Sequence, residues 1–372
     1  MCPRPTRSSK RSGPPCDHHR APPAAVSARP RANGPDSMPL IGIIPNPSSG
    51  KDIRRLVVDA DGIDNQHKAR IVRRVLRGIA ATTEAGATSI AMMPEMGDIG
   101  RRALDGLELP CPVEILDTPC HGLPTDSLAA AQELADRNAA AIVVLGGDGT
   151  HRMVAKGCRD VPLVPISTGT NNVWPRRNEG TLAGIAAALV ANRRVPIENS
   201  CRTTPRLDVF RDGQPTDMAL VDVAVCDIPV PGARAIWDIK RIHQLVLSMA
   251  HPGVLGLSAI GGSLPPPSSG ERSGLALEIG PGGQEVLAPI APGLVVPVPV
   301  RNVQWLAPGD SIPVTFRPGT LALDGERETT VGHDDEFAIQ LNAHGPTMVD
   351  VDTTLELAAD SGYFIMPERP TA

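Results

Sequence analysis

An α/β domain built on a parallel sheet, followed by a mostly β domain, is the architecture this sequence predicts, and three observations predict it. The chain has 372 residues, roughly twice the usual domain length, so two separate cores are expected. From residue 40 to residue 192, short apolar runs alternate with segments of helical period. Beyond residue 196, brief β-rich runs are separated by Gly and Pro turns, with no repeat of fixed period.

Residues 1–37 differ from everything after them. They carry seven basic and two acidic side chains with frequent Pro, Ser and Ala, and cannot bury enough apolar surface to order themselves. The composition is Arg-rich and acid-poor like a transit peptide, but eight prolines (3, 5, 14, 15, 22, 23, 30 and 35) oppose an amphipathic helix. A disordered extension, or an upstream start ahead of Met38, is the expectation. Leu40 to Ile44 reads as a first strand that stops at PNPSSGKD. From Asn65 to Ala81 apolar residues recur at three- and four-residue steps, which predicts a helix, with Gly86 as a stop. Thr88 to Pro94 and Val113 to Leu116 are the next strands. Thr125 or Asp126 can cap a helix carrying Leu128, Ala131, Leu134 and Ala135 on one face. Ala140 to Leu145 and Pro162 to Ile166 complete five strands, and a helix over Thr181 to Asn192 closes the domain. Strands alternating with helices imply parallel pairing and right-handed crossovers. The second domain is expected from about residue 196 to 355, with one helix at about Trp237 to Met249 and a tail over 356–372.

Composition excludes several classes. Hydrophobic residues make up 41% and charged residues 21% of the chain, as in a soluble globular protein. The longest apolar stretch, Ala288 to Val300, is broken by four prolines and is too short to span a membrane. Seven cysteines without Cys-x-x-Cys spacing argue against a disulfide framework or zinc finger, so a reducing cytoplasm is the expected setting. Only five of the 36 basic residues are Lys, and the Arg residues are scattered, so no nucleic-acid footprint is evident. Net charge is −5 for the whole chain and −10 for residues 38–372, which does not favour anionic membranes.

Three loops follow the first, fourth and fifth predicted strands: NPSSGK (46–51), GGDGT (146–150) and STGTNN (167–172). Ligands of such sheets bind beyond the carboxyl ends of the strands, so the loops belong on one rim. Gly146, Gly147 and Gly149 would let backbone amides at a helix N-terminus approach a polyphosphate. Asp148, amid those amides, would then hold Mg²⁺ or accept a proton from an attacking hydroxyl. Thr150 would cap the helix. The alternative is a tight strand-to-helix turn in which Asp148 is itself the cap. Asp324-Gly325 likewise reads either as functional or as a β-hairpin turn. His151 is expected to face solvent, His243 and His251 to be structural, and Cys158 to lie in the core.

NPSSGK, GGDGT and STGTNN, followed by LDGE (323–326), resemble the superfamily of NAD kinases, diacylglycerol kinases and sphingosine kinases over about residues 38 to 355. More closely, IIPNPSSGKDIRRLV, VPISTGTNNVWP, APIAPGLV and LALDGERE are similar to the acetoin-catabolism X protein family. The resemblance implies an NAD kinase-like two-domain fold and an ATP-dependent or polyphosphate-dependent kinase using Mg²⁺. It implies phosphate contacts at Asn46, Ser48, Ser49, Gly50, Lys51, Gly146, Gly147, Gly149, Thr150, Thr168, Gly169, Thr170, Asn171 and Asn172. Asp148 and Glu326 would be catalytic, with Asp148 and Asp324 as metal ligands. The acceptor would be a small hydroxyl-bearing metabolite such as NAD, with a lipid kinase or an inactive nucleotide-binding regulator as alternatives. Homo-oligomers are expected by the same resemblance. The sequence departs from NAD kinases in two places: Asp222 and Asp227 are the only acidic candidates where those enzymes carry an Asn-Glu pair, and their tyrosine-containing loop is replaced by Gly256 to Leu264.

Overall fold

A computed structural model describes residues 38–50, 62–169, 172–227, 239–267 and 274–366. The extension 1–37 and Trp237, singled out above, lie outside them.

The first lobe alternates as expected. Strand β1 (Leu40–Pro45) is wholly buried and is followed by helix α1 (Asn65–Ala81), where Asp64 caps by accepting the His67 N–H at 2.6 Å. Strand β2 (Ser89–Met92), helix α2 (Ile99–Leu104) and strand β3 (Val113–Ile115) come next. Helix α3 (Pro124–Asp136) starts one residue before the expected caps, because Pro124 takes its first position. Asp126 instead reaches back to accept the N–H groups of His121, Gly122 and Leu123. Strand β4 (Ala141–Gly146) leads through Gly147 into helix α4 (Asp148–Gly157), and strand β5 (Leu163–Ser167) into helix α5 (Gly180–Ala191). A short helix α6 (Ile197–Ser200) and strand β6 (Cys201–Thr203) lead out of the lobe.

The second lobe comprises β7 (Arg206–Arg211), β8 (Gln214–Ala219), β9 (Asp222–Cys226), β10 (Ile242–Leu247), the short helix α7 (Ser258–Gly262), and the long hairpin β11 (Gly274–Ala291) and β12 (Leu294–Leu306). It continues with β13 (Ser311–Pro313), β14 (Gly319–Leu323), β15 (Glu326–Val331) and β16 (Phe337–Asn342). The helix expected at Trp237 to Met249 is replaced by strand β10. Six apolar-rich residues are too few for periodicity to separate helix from strand, and pairing on both sides, with β9 and β11, decides the matter. Six strands in the order β12-β11-β10-β9-β14-β15 stack on four in the order β13-β16-β7-β8. Their shared core includes Leu207, Val209, Val223, Leu321 and Leu341.

Strand β17 (Thr347–Val349), expected in the β-rich half, returns to the first sheet. It pairs parallel with β5 and antiparallel with β6, giving the order β3-β2-β1-β4-β5-β17-β6, and helix α8 (Val351–Asp360) covers it. Both faces of this sheet are packed, one by α1 and α5, the other by α3, α4 and second-lobe residues Leu220 and Val221. That double cover explains the near-continuous apolar strands. Among the described residues no helix is long and apolar enough to cross a membrane.

Candidate functional site

β1, β4 and β5 are neighbours in the sheet, and strand order reverses at β1/β4. Their C-terminal loops therefore share one rim at the topological switch point. The loops are also bonded to one another. Asn46 Nδ2 donates to Thr150 Oγ1 at 2.7 Å, tying the first loop to the second. The hydroxyls of Ser49 and Thr168 lie 2.8 Å apart, tying the first to the third. Thr168 N–H donates to the Gly146 carbonyl at 3.0 Å, tying the third to the second. Within the first loop Asn46 Oδ1 accepts the Ser48 N–H, and Gly50 ends the described segment at φ 71°. Asn172 donates to Ser167 Oγ at 2.6 Å and lies over Gly147 and Gly169. Lys51, Thr170 and Asn171 fall outside the described residues.

Sequence reasoning missed the side chain that shapes the first loop. Lys68 of α1 is 0% exposed and donates to the carbonyls of Asn46, Pro47 and Ser49 at 2.9, 3.1 and 2.7 Å. Three acceptors around one ammonium match its three N–H donors, which a planar guanidinium could not do. The available signal was a Lys on the apolar face of α1 in a chain that otherwise uses Arg.

Helix α4 has Gly147 at its N-cap, with no side-chain capping bond, so neither Thr150 nor Asp148 acts as the cap. The amides of its first turn face the rim without a capping side chain, the arrangement an anion completes. Asp148, 8% exposed, turns toward the third loop and accepts the N–H groups of Val173 at 3.0 Å and Trp174 at 2.8 Å. His151 is buried, not solvent-facing: its Nδ1 meets the Gly147 carbonyl at 2.9 Å and its ring lies 5.1 Å from that of Trp174. Burial lowers its pKa to about 4.

The second lobe delivers Glu326 to the same place. Asp324 and Gly325 adopt φ 51° and 80° between β14 and β15, the hairpin turn that Asp-Gly favours. Asp324 is buried and accepts the N–H groups of Leu220, Val221 and Asp222, with Arg152 of α4 at 3.5 Å. Burial pushes its carboxyl up, while Arg152 and the three amides pull the other way. So engaged, Asp324 ties the turn to the start of β9 and to α4. Glu326, two residues on, lies against the loop: a Cβ built on Gly149 would sit 3.4 Å from its Oε1. A Cβ at position 149 would therefore be in ordinary van der Waals contact with this carboxylate, which places Glu326 directly against the loop. Asp222 is buried beside Asp324, whereas Asp227 pairs with Arg241 and His243 within the second lobe. Among the described residues no cluster of three or more His, Cys, Asp or Glu side chains is suited to a metal.

Beyond the third loop lies a cavity of 540 Å³, lined by Ser167, Gly169 and residues 172–177, by Arg202, Thr204 and Met348, and by Met249, His251, Gly253, Val254 and Leu255. The residues replacing the NAD-kinase tyrosine loop form helix α7, which packs on Leu247 and Leu275.

A parallel sheet with a glycine-framed loop at its switch point, joined to a β lobe that supplies a carboxylate, defines the NAD kinase-like fold. In agreement, the ATP-NAD kinase N-terminal domain family matches residues 41–194. The acetoin catabolism protein X C-terminal domain family matches residues 205–344. Over 328 residues the chain is 40% identical to Acetoin catabolism protein X of Cupriavidus necator, covering 84% of this chain and 90% of that protein. The chain belongs to the acetoin catabolism protein X family. Among solved structures, a candidate diacylglycerol kinase from Bacillus anthracis strain Sterne aligns over 84% of this chain and 98% of its own, at 15% identity and a TM-score of 0.39. UDP-GlcNAc 2-epimerase from Neisseria meningitidis aligns over 41% and 39%, at 9% identity and a TM-score of 0.25. Neither likeness is strong enough to bear on function.

Proposed function

We propose that this chain is an ATP-dependent phosphotransferase acting on a small hydroxyl-bearing metabolite, within the breakdown of acetoin that its relative's name indicates. The observation that carries the reading is the meeting of Glu326 from one lobe with the uncapped α4 N-terminus of the other. Amides that attract phosphate and a carboxylate that can take a proton are then side by side.

The residues present fit a magnesium nucleotide. Magnesium commonly uses one or two carboxylates plus phosphate oxygens and water, so Asp148 and Glu326, the carboxylates found at the loop among the described residues, would suffice. When bound, the ion would supply charge neutralisation across the transferring phosphoryl group. The α4 amides would hold the donor phosphates, with Lys68 and Asn46 fixing the first loop around them. Asp148 would hold the third loop in register and face the phosphates, and Glu326 would orient the acceptor hydroxyl and take its proton late in transfer. Catalysis would then rest chiefly on positioning and electrostatics.

The test is transfer of labelled phosphate from Mg-ATP to NAD, acetoin, butane-2,3-diol and diacylglycerol in parallel, with Mg-ATP binding measured by calorimetry. Glu326→Gln should lower turnover roughly 10²–10⁴-fold, the usual worth of a positioned base, while keeping Mg-ATP affinity. Asp148→Asn should lose affinity as well, because it weakens the tie to the third loop. Full turnover in Glu326→Gln would remove that residue from the chemistry. No association of Mg-ATP with the wild-type chain would end the kinase reading.

A further inference from the structure

The cavity beyond the third loop has one cationic wall. Arg176, Arg177 and Arg202 line it, and no carboxylate does among the described residues. Among the described residues Arg176 forms one ion pair, with Asp350 at 3.9 Å. Arg202 donates to the Met348 sulfur at 3.6 Å and not to an acid. Burial, and then neighbouring Arg176, hold Arg202 below the ordinary guanidinium value against the pull of Asp350. Arg177 has no ion-pair partner among the described residues. Three guanidinium groups concentrated at one cavity in a chain of net charge −5 are costly to assemble unless an anion is to be held there. The lining also includes the apolar side chains of Met249, Val254, Leu255 and, beside Arg202, Met348. At 540 Å³ the space falls within the range typical of small-molecule sites, roughly 300–1,000 Å³.

Position separates this cavity from the phosphate loops. Among its described lining residues none belongs to 46–50 or 146–150, and it shares only the third loop with the rim. The connection is Asp148, whose carboxylate holds the amides of Val173 and Trp174, both of which line the cavity. A ligand here would lie against the third loop, next to Val173 and Trp174.

We propose that Arg176, Arg177 and Arg202 bind an oxyanion, carboxylate or phosphate, carried by the phosphoryl acceptor, so that the acceptor is a small anionic hydroxy compound with a short apolar body. The proposal rests on the phosphotransferase reading for the word acceptor, but not for the binding itself. Arginine forks pair bidentately with either anion, and the apolar lining side chains take the carbon skeleton.

Calorimetry on the full chain, with lactate, inorganic phosphate and the neutral butane-2,3-diol as probes, tests it alongside Mg-ATP. At least one anion should bind, more weakly as salt is raised. Arg177→Gln combined with Arg202→Gln should weaken that binding roughly tenfold to a hundredfold, the worth of charge-assisted hydrogen bonds, and leave Mg-ATP affinity and the melting temperature unchanged. Lactate binding alone identifies a carboxylate acceptor and phosphate binding alone a phosphorylated one. Binding of neither anion, binding indifferent to the double variant, or equal loss of Mg-ATP affinity overturns the proposal. Mg-ATP binding without anion binding sinks the pocket and leaves the kinase reading standing; anion binding without Mg-ATP binding does the reverse.

Discussion

His151 shows what a single buried group contributes. Its imidazole is enclosed beside Trp174, its Nδ1 is committed to the Gly147 carbonyl, and its pKa falls to about 4 from 6.5 because burial disfavours the cation. The unfolded chain therefore binds the proton more readily between those values, and stability present above pH 6.5 is lost as pH falls through 4, by about 3 kcal/mol. In His151→Phe, which keeps a ring against Trp174, urea denaturation across this interval should show a flatter dependence on pH. An equally steep loss in the variant would show that other groups set the acid limb. Sequence alone misplaced this residue because a first-turn position says nothing about the packing of Trp174 against the ring. The loop strings singled out Asp148, since glycine frequency and order along the chain are local facts, whereas Glu326 was suggested only by the family resemblance. Lys68, Arg177 and Arg202 escaped notice because their roles depend on carbonyls and side chains distant in sequence.

At the level of elements, α4 does two jobs. Its N-terminus presents the loop amides, and its body anchors the second lobe: Arg152, 1% exposed, lies 3.3 Å from Asp217 and 3.5 Å from Asp324, while Lys156 reaches Asp217 at 2.7 Å. The helix thus holds the turn that carries Glu326. Arg152→Met would leave Asp324 buried without its counter-charge, which should cost roughly 3–5 kcal/mol in urea unfolding. The double variant Arg152→Met with Asp324→Leu should cost less than the sum of the two single changes, because the stranded charge is gone. Additive costs would deny the coupling. The parallel strands were readable because burial on both faces leaves uninterrupted Val, Ile and Leu runs. Strand β10 was not, since IHQLVL suits either period until its partners β9 and β11 are known.

Across the whole molecule, the α/β half followed by a β half was evident from the change in texture near residue 196, but the return of the chain was not. TMV at 347–349 is three residues long, and nothing local says which sheet a three-residue strand joins. Its placement has a topological consequence. Thr203 and Thr347 are register partners in an antiparallel pair, β6 leaving the first lobe exactly where β17 re-enters it. The entire β sandwich is thereby an insertion spanning 204–346 into what would otherwise be an ordinary hairpin. Splicing residue 203 to 347 through a two-residue Asn-Gly turn should give a shortened chain that keeps its far-ultraviolet helix signal and melts cooperatively, at lower temperature because Leu220 and Val221 no longer cover Trp174. A non-cooperative melt would show that the sandwich is needed for folding. Cooperative melting would mean that the β half of this protein can be exchanged as a cassette, the α/β half remaining as a reusable chassis.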